Sequence, residues 1–412
     1  MTSPISFMDP QVQLCPFPAY ATVRQAGPVY VDPLTGWYFV TSYEEARKHT
    51  GDTTNLSNDT GFLFNRQSQD EHHQERVDRI WNEEGFPRVP ALVVVDPPDH
   101  TFHRSFINKS FTPYRVRLME DYLETVVDEM IGDVLGAEEF DFMAELAIKV
   151  PLAVIADQLG LPRSDLDRLH YWSDSILEHL DPTITDEREL ELTKVICEFQ
   201  QYVAAKVAEY RAQPRECLLS DFANAEVGGR GLTMPEIAAM VSQVLSGGND
   251  STANGISSGV LRLIEQPELQ TRLREHPELV PAFVEEVLRL DAPVQGLFRR
   301  ATADVEIAGT TIPEGSIVVL KWGAANRDPQ RFPEPDVLDL DRENSARHLT
   351  FGFGPHMCVG AGLTRGEMRV TFTRLVQRMQ NIRLSRGRDG AIREPHFFSY
   401  GFTQLWIAAD PV

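Results

Sequence analysis

Apolar residues recur at helical spacing through most of the chain. In TMPEIAAMVSQVLSGGNDSTANGISSGVLRLI they fall at Ile237, Met240, Val241, Val244 and Leu245, which predicts a long helix with a buried face. Its start is marked by a T-x-x-E capping box, Thr233 and Glu236, with Pro235 in the first turn. Gly247 and Gly248 fall inside the same helix, where each costs about 1 kcal/mol against alanine, so a kink or the close approach of something flat is expected there. Residues 114 to 212 keep the helical period, as in RLMEDYLETVVDEMIGDVL and KVICEFQQYVAAKVAEYRAQ. DPPDHTFHRSFINKSF opens a further helix, with Asp96 and two prolines as start signals.

Two-residue alternation is confined to the two ends. GPVYVDPLTGWYFV, residues 27 to 40, reads as a hairpin, followed by a short helix, SYEEARKHT, with Ser42 as N-cap. ADVEIAGTTIPEGSIVVL, residues 303 to 320, and the last 25 residues also read as strands and turns. Residues 57 to 90 are polar and irregular, and are read as a long loop. The expected fold is mainly α with small β-sheets (α+β). No shift in composition marks a linker, so residues 1–412 are read as a single domain.

Charge narrows the functional classes. Acidic residues outnumber basic ones 61 to 39, a formal charge of −22, which disfavours nucleic acid and anionic lipid as general partners. The four cysteines, Cys15, Cys197, Cys217 and Cys358, form no CxxC, which points to a reducing cytoplasm rather than a disulfide framework. No signal peptide is evident, and the longest uncharged run near the middle, IAAMVSQVLSGGN, has 13 residues, too few to span a bilayer. A cytoplasmic protein without a membrane segment is expected.

Cys358 lies in FGFGPHMCVG, residues 351 to 360, among three glycines. A thiolate can ligate haem iron and favour O–O cleavage, provided it stays ionised and dry. Glycines let backbone N–H groups approach the sulfur, Phe351 can shield it, and a helix starting near Val359 would direct its positive end at the anion. The stretch resembles the haem-binding loop of the cytochrome P450 monooxygenases, F-G-x-G-x-H-x-C-x-G. Phe351, Gly352, Gly354, His356, Cys358 and Gly360 meet every fixed position.

The resemblance extends over nearly the whole chain and implies the P450 fold, with the long helix over haem b. EEVLRL carries the family's E-x-x-R pair, Glu286 and Arg289, at a spacing that lets the side chains meet; Arg342 matches the later arginine that completes this structural group. GGNDST matches [AG]-G-x-[DE]-T at Asp250, implied to relay protons to oxygen, but Ser251 stands where threonine is usual. Serine keeps the hydroxyl and loses the methyl that restricts its rotamer; Thr252 lies about 100° further round the helix. His100 and Arg104 match H-x-x-x-R for the haem propionates, joined by His356 and by Arg299, which fits better than Arg300. By resemblance Trp81, Phe86, Leu245, Gly248, Val294, Leu297, Phe298 and Phe398 line the substrate pocket.

That lining implies a hydrophobic substrate: terpenoid, steroid-like or aromatic. Arg66, Arg76 and Arg79 leave room for a carboxylate-bearing aromatic, and His72 and His73 are read as surface residues of the loop. The chain has no flavin, nicotinamide or iron–sulfur fingerprint, so electrons are expected from a separate ferredoxin and its reductase. Lys109, Arg115, Arg117, Arg365 and Arg369 could form a basic docking patch for that partner. Two other readings belong to the same residues: a peroxide-driven haem-thiolate peroxygenase, and a non-catalytic haem-thiolate ligand sensor.

Overall fold

The computed structural model describes residues 5–60, 70, 72–181 and 184–412, Pro113 by its backbone alone. In chain order the helices are α1 (Pro10–Leu14), α2 (Phe17–Ala26), α3 (Tyr43–Thr50), α4 (His73–Glu84), α5 (Asp99–Ile107), α6 (Pro113–Leu118), α7 (Glu120–Val134), α8 (Lys149–Leu159), α9 (Leu166–Glu178), α10 (Asp186–Ala212), α11 (Leu218–Asn224), α12 (Met234–Glu265), α13 (Glu268–Glu275), α14 (Val280–Leu290), α15 (Trp322–Ala325) and α16 (Ala361–Arg378). The strands are β1 (Val29–Val31), β2 (Tyr38–Val40), β3 (Leu56–Ser57), β4 (Phe140–Asp141), β5 (Glu226–Val227), β6 (Arg230–Gly231), β7 (Leu297–Ala301), β8 (Val305–Ile307), β9 (Thr310–Ile312), β10 (Ile317–Leu320), β11 (Met379–Leu384), β12 (Ala391–Ile392) and β13 (Gln404–Pro411). None of the described helices is long and apolar enough to cross a membrane.

The chain divides into two compact units. The first holds residues 1–57, 116–150 and 251–412. Its main sheet has the order β1-β2-β10-β7-β3, with β10 parallel to β2 and the other pairs antiparallel. The hairpin expected at residues 27–40 is the β1–β2 pair, in register Val29 to Val40. Val40, Leu56, Val318 and Leu320 from this sheet are fully buried with Phe332 and Ala46 of α3. A second sheet runs β11-β13-β12, with β4 paired to β13. Ser42 is the N-cap of α3 as expected, but its side chain makes no capping bond. The Tyr43 N–H instead donates to Asp328 Oδ2 at 2.8 Å, tying the start of α3 to the chain just after α15.

The second unit holds residues 58–115 and 151–250. It corrects the reading of residues 57–90 as loop, because α4 occupies 73–84 and packs along α10. The fit is close at the end of α4: a Cβ on Gly85 would lie 2.6 Å from Cys197 Sγ. Polar and charged residues fill the outward face of α4, while Val77 and Trp81 are buried with Ile196 and Cys197 of α10. Arg66 lies outside the described residues.

The long helix is α12, and its capping box forms. The Thr233 N–H and hydroxyl both donate to Glu236 Oε2 at 2.8 Å, and the Glu236 N–H returns a bond to Thr233 Oγ1 at 3.4 Å. His103 Nε2 also meets Glu236, at 3.2 Å, so this cap fastens α5 to the start of α12. The helix continues through Gly247 and Gly248. A Cβ on Gly248 would come within 3.1 Å of Ile155 Cδ1, whereas Gly247 faces open space. In the first unit the later turns of α12 press on α16, where a Cβ at Gly259 would sit 2.2 Å from Phe372 Cζ.

Candidate functional site

The cysteine loop belongs to the first unit. Gly352 (φ +69°) and Gly354 (φ +79°) take left-handed backbone conformations that side-chain-bearing residues rarely adopt. At Gly354 space demands glycine as well, since a Cβ would lie 2.8 Å from Gly51 Cα. The Cys358 N–H donates to the Phe351 carbonyl at 2.8 Å, closing the loop. The helix after it starts at Ala361, two residues later than expected, with Gly360 as its N-cap. Phe351 is held between the His348 ring, 5.7 Å away, and the Arg365 guanidinium, 4.5 Å over its face.

That clamp has its own anchor, which the sequence reading missed. Glu285 accepts from Arg365 Nε and Nη2 at 2.6 and 3.0 Å and meets His348 Nε2 at 3.2 Å. Burial alone would raise Glu285, but the close His348 imidazole and the hydrogen bonds from Arg365 outweigh it and bring its carboxyl down to about 2. The neighbouring Glu286 accepts Arg289 Nε and Nη2 at 2.6 and 2.8 Å, and Arg342 Nε at 3.2 Å. Glu286 and Arg289 are fully buried. Arg289 also donates to the carbonyls of Asn326, Pro335 and Val337, so one guanidinium organises the turns leading toward the cysteine loop.

Could this loop hold a haem? Cys358 is exposed, and a Cβ added at Gly360 would stand 3.8 Å from its sulfur, so that side is open. Among the described residues Cys358 belongs to no cluster of His, Cys, Asp or Glu donors. A single exposed thiol ahead of a helix N-terminus suits a metal whose other ligands come from a macrocycle. The residues present therefore fit the group. On β7 both Phe298 and Arg299 are buried, whereas Arg300 is exposed. Arg299 Nη1 donates to the Phe298 carbonyl at 2.8 Å. His356 is partly buried at the end of the short 354–356 turn.

The second unit contributes Asp250. Ser173 Oγ of α9 donates to its Oδ2 at 3.2 Å, and Asn249 Nδ2 approaches Oδ1 at 3.4 Å. Burial, and next the nearby Asp174 carboxylate, push Asp250 up to about 7; the Ser173 bond offsets part of this. Ser173 and Asp174 gave no signal in the sequence, because they become relevant only once α9 lies along α12. Ser251 is half-buried. Thr252 is fully buried and faces elsewhere, its Oγ1 lying 3.2 Å from Thr364 Oγ1 of α16. His100 and Arg104 lie one turn apart on α5, and burial, then Arg104, lower the His100 pKa.

The residues expected to contact substrate fall in both units. Trp81 (5% exposed) and Leu245 (0%) spend their side chains on core packing, and Phe86 is anchored through its N–H to Gln200 Oε1 at 2.7 Å. In the first unit Val294 bridges to Ser399, Leu297 is exposed, and Phe298 and Phe398 both lie against Phe397, at 5.6 and 4.8 Å. Three arginines of the expected docking patch are already in ion pairs: Arg365 with Glu285, Arg369 with Glu120 at 2.7 Å, and Arg115 with Glu216 at 3.1 Å. Lys109 and Arg117 are exposed. Arg76 pairs with Asp70 at 2.7 Å, and Arg79 is exposed. His73, read as a surface residue, is buried.

Two further buried ionisable groups were not anticipated, both in the first unit. Glu367 of α16 is pushed up to about 8 by burial. Lys321 is brought down to about 7 by burial and stands 5.4 Å over the Phe7 ring and 5.8 Å over Tyr20.

The cytochrome P450 family profile matches residues 161–278 and 274–388. The chain belongs to the cytochrome P450 family. It is 32% identical over 400 residues to the vitamin D(3) 25-hydroxylase of Pseudonocardia autotrophica, covering 96% of this chain and 94% of that protein. Among solved P450 structures it is similar to CYP109Q5 from Chondromyces apiculatus, with TM-score 0.86, 29% identity and 100% of both chains covered. It is similar as well to CYP109E1 from Bacillus megaterium in complex with corticosterone, with TM-score 0.82, 29% identity, and 96% and 99% of the two chains covered. The chain is thus a P450 monooxygenase, an enzyme of a family that binds haem b through a cysteine thiolate.

Proposed function

We propose that this P450 uses O2 to hydroxylate an apolar, steroid-like molecule, with electrons from a separate ferredoxin and its reductase. Cys358 would ligate the haem, and Arg299, His356, His100 and Arg104 are, by family resemblance, the residues that would meet its propionates; the haem would supply oxygen binding and O–O cleavage. Phe351 and the Glu285–Arg365–His348 anchor hold the cysteine loop in place behind the sulfur. Asp250 holds the proton that O2 activation needs, and Ser251 passes it on through its hydroxyl.

One observation carries this reading. Asp250, at about 7, is part protonated and part ionised near neutral pH, so it can both release a proton and regain one. A proton donor of that kind serves O2 activation, which consumes two protons; a peroxide-driven reaction has no such requirement. Leu297, Val294 and Phe398 present apolar surface, which supports a hydrophobic substrate. The vitamin D(3) hydroxylase and corticosterone-bound relatives favour a steroid-like skeleton over the terpenoid and aromatic alternatives.

The test is a Soret titration of the ferric enzyme with steroids, secosteroids, terpenoids and substituted benzoates, followed by turnover. A low- to high-spin shift with steroids, and a hydroxylated product formed with a ferredoxin and its reductase, is expected. A shift confined to benzoates would overturn the substrate assignment. Product formed with peroxide but never with a ferredoxin would overturn the electron route.

A further inference from the structure

The geometry points to a binding site for a divalent transition-metal ion, best suited to Zn2+, formed by His73, Asp186 and Glu189 of the second unit and linking α4 to α10. Asp186 and Glu189 are three apart in the first turn of α10 and so share a face. His73 opens α4 opposite them. Its Nε2 lies 2.8 Å from Glu189 Oε2 and 3.8 Å from Asp186 Oδ1, and the three donor atoms all fall within 4.8 Å of one another.

An ion with metal–donor bonds of about 2.0–2.2 Å reaches donors up to about 4.2 Å apart. Both His73 distances already meet that limit, and a carboxylate rotation of well under 1 Å brings in the third pair. One imidazole with two carboxylates is a zinc-type donor set, which leaves a fourth position for water. His73 and Glu189 are each 2% exposed, so the ion would be largely shielded from solvent. The His73 ring is aimed into the cluster. Its Nδ1 is buried with no hydrogen-bond partner among the described residues, so its polar contacts are spent on the two carboxylates.

The two carboxylates supply anionic donors, and Arg88 is close enough to Glu189 to feel its charge. A metal ion would bond His73 and both carboxylates at once. The consequence is mechanical. The start of α4 would be fastened to the start of α10 by coordination bonds in place of one hydrogen bond, stiffening the helix that carries Trp81.

The experiment is calorimetric titration of the chelator-treated holoenzyme with ZnCl2, repeated on His73→Gln, Glu189→Gln and the partly exposed Asp186→Asn. One equivalent of Zn2+ is expected to bind, at least a hundredfold more weakly in the His73 and Glu189 variants. Proteolytic cleavage within 73–84 should slow at least tenfold when Zn2+ is added to the wild type and stay unchanged in His73→Gln. Absence of saturable binding would overturn the site. So would binding of equal strength in all four proteins, which marks an adventitious ion only. Asp186→Asn keeps the test decisive should a buried variant fail to fold.

Discussion

Glu285 and Glu286 differ from Glu367 and Asp250 in partners rather than in burial. All four carboxyls are largely removed from water. Glu286 meets two guanidiniums and Glu285 a guanidinium and an imidazole, and Glu285 is driven down to about 2. No cation is among the causes acting on Glu367 or Asp250, and burial raises them to about 8 and about 7. The first pair is scaffold, with Glu285 held ionised by its partners. The second pair can exchange a proton near neutral pH. Removing a partner should therefore break the first region, whereas removing the acid itself should silence the second.

The largest effect is expected at the loop that the scaffold supports. Cys358→Ser should abolish the thiolate-type Soret band of the reduced carbon monoxide complex while leaving the fold intact by circular dichroism. A retained band would place the ligand elsewhere. Next is Arg289→Leu, which leaves Glu286 buried with Arg342 and the Asp339 N–H and takes a donor from the carbonyls of Asn326, Pro335 and Val337. Stripping one partner from a buried pair costs about 3–5 kcal/mol. Denaturant unfolding should register that loss together with poor haem loading. A variant as stable as the wild type would mean that the node carries no stability.

Asp250→Asn tests the second region. The amide keeps the size and the Ser173 contact but cannot supply a proton. Product formation should fall by about a hundredfold, at the low end for general acid–base catalysis, with the consumed reducing equivalents appearing as peroxide. The wild-type pH dependence near pH 7 should vanish in the variant. Unchanged coupling would remove Asp250 from the proton route and with it the contrast drawn above.

The legibility of these regions in the sequence follows the same physics. FGFGPHMCVG, the T-x-x-E cap and E-x-x-R were readable because their partners lie within a few residues, so spacing encodes the contact. Glu285 with Arg365 and Ser173 with Asp250 are 80 and 77 residues apart and carry no local pattern. Residues 57–90 read as loop because α4 has a polar outward face and, among its apolar residues, only Val77 and Trp81 are deeply placed against α10. His73 looked like surface for the same reason: what buries it is Glu189, 116 residues later. Lys321 follows the strand run IVVL, and nothing in that run indicates that Phe7 and Tyr20 close over its ammonium.

Lys321 and Glu367 give the smallest and sharpest test, because burial moves them in opposite directions within one unit. Glu367 titrates at about 8 folded against an ordinary 4.5, so between those values the folded protein holds the extra proton. Stability then falls as pH rises through that window, by about 1.4 kcal/mol per pH unit, and levels off above 8. Lys321 titrates at about 7 folded against 10.5, so across that window the unfolded chain holds the extra proton and stability rises with pH at a similar slope. In the wild type the two slopes oppose each other between pH 7 and 8. Glu367→Gln should expose the rising slope in that interval, and Lys321→Met the falling one, in urea unfolding of the holoenzyme at closely spaced pH values. Lys321→Met should also be the more stable protein below pH 7, by a few kcal/mol at most, since ring contacts already return part of the cost of burying the ammonium. Identical profiles for both variants and the wild type would mean that water reaches these two groups, and that burial without a partner is not what separates proton-exchanging carboxyls from scaffold in this protein.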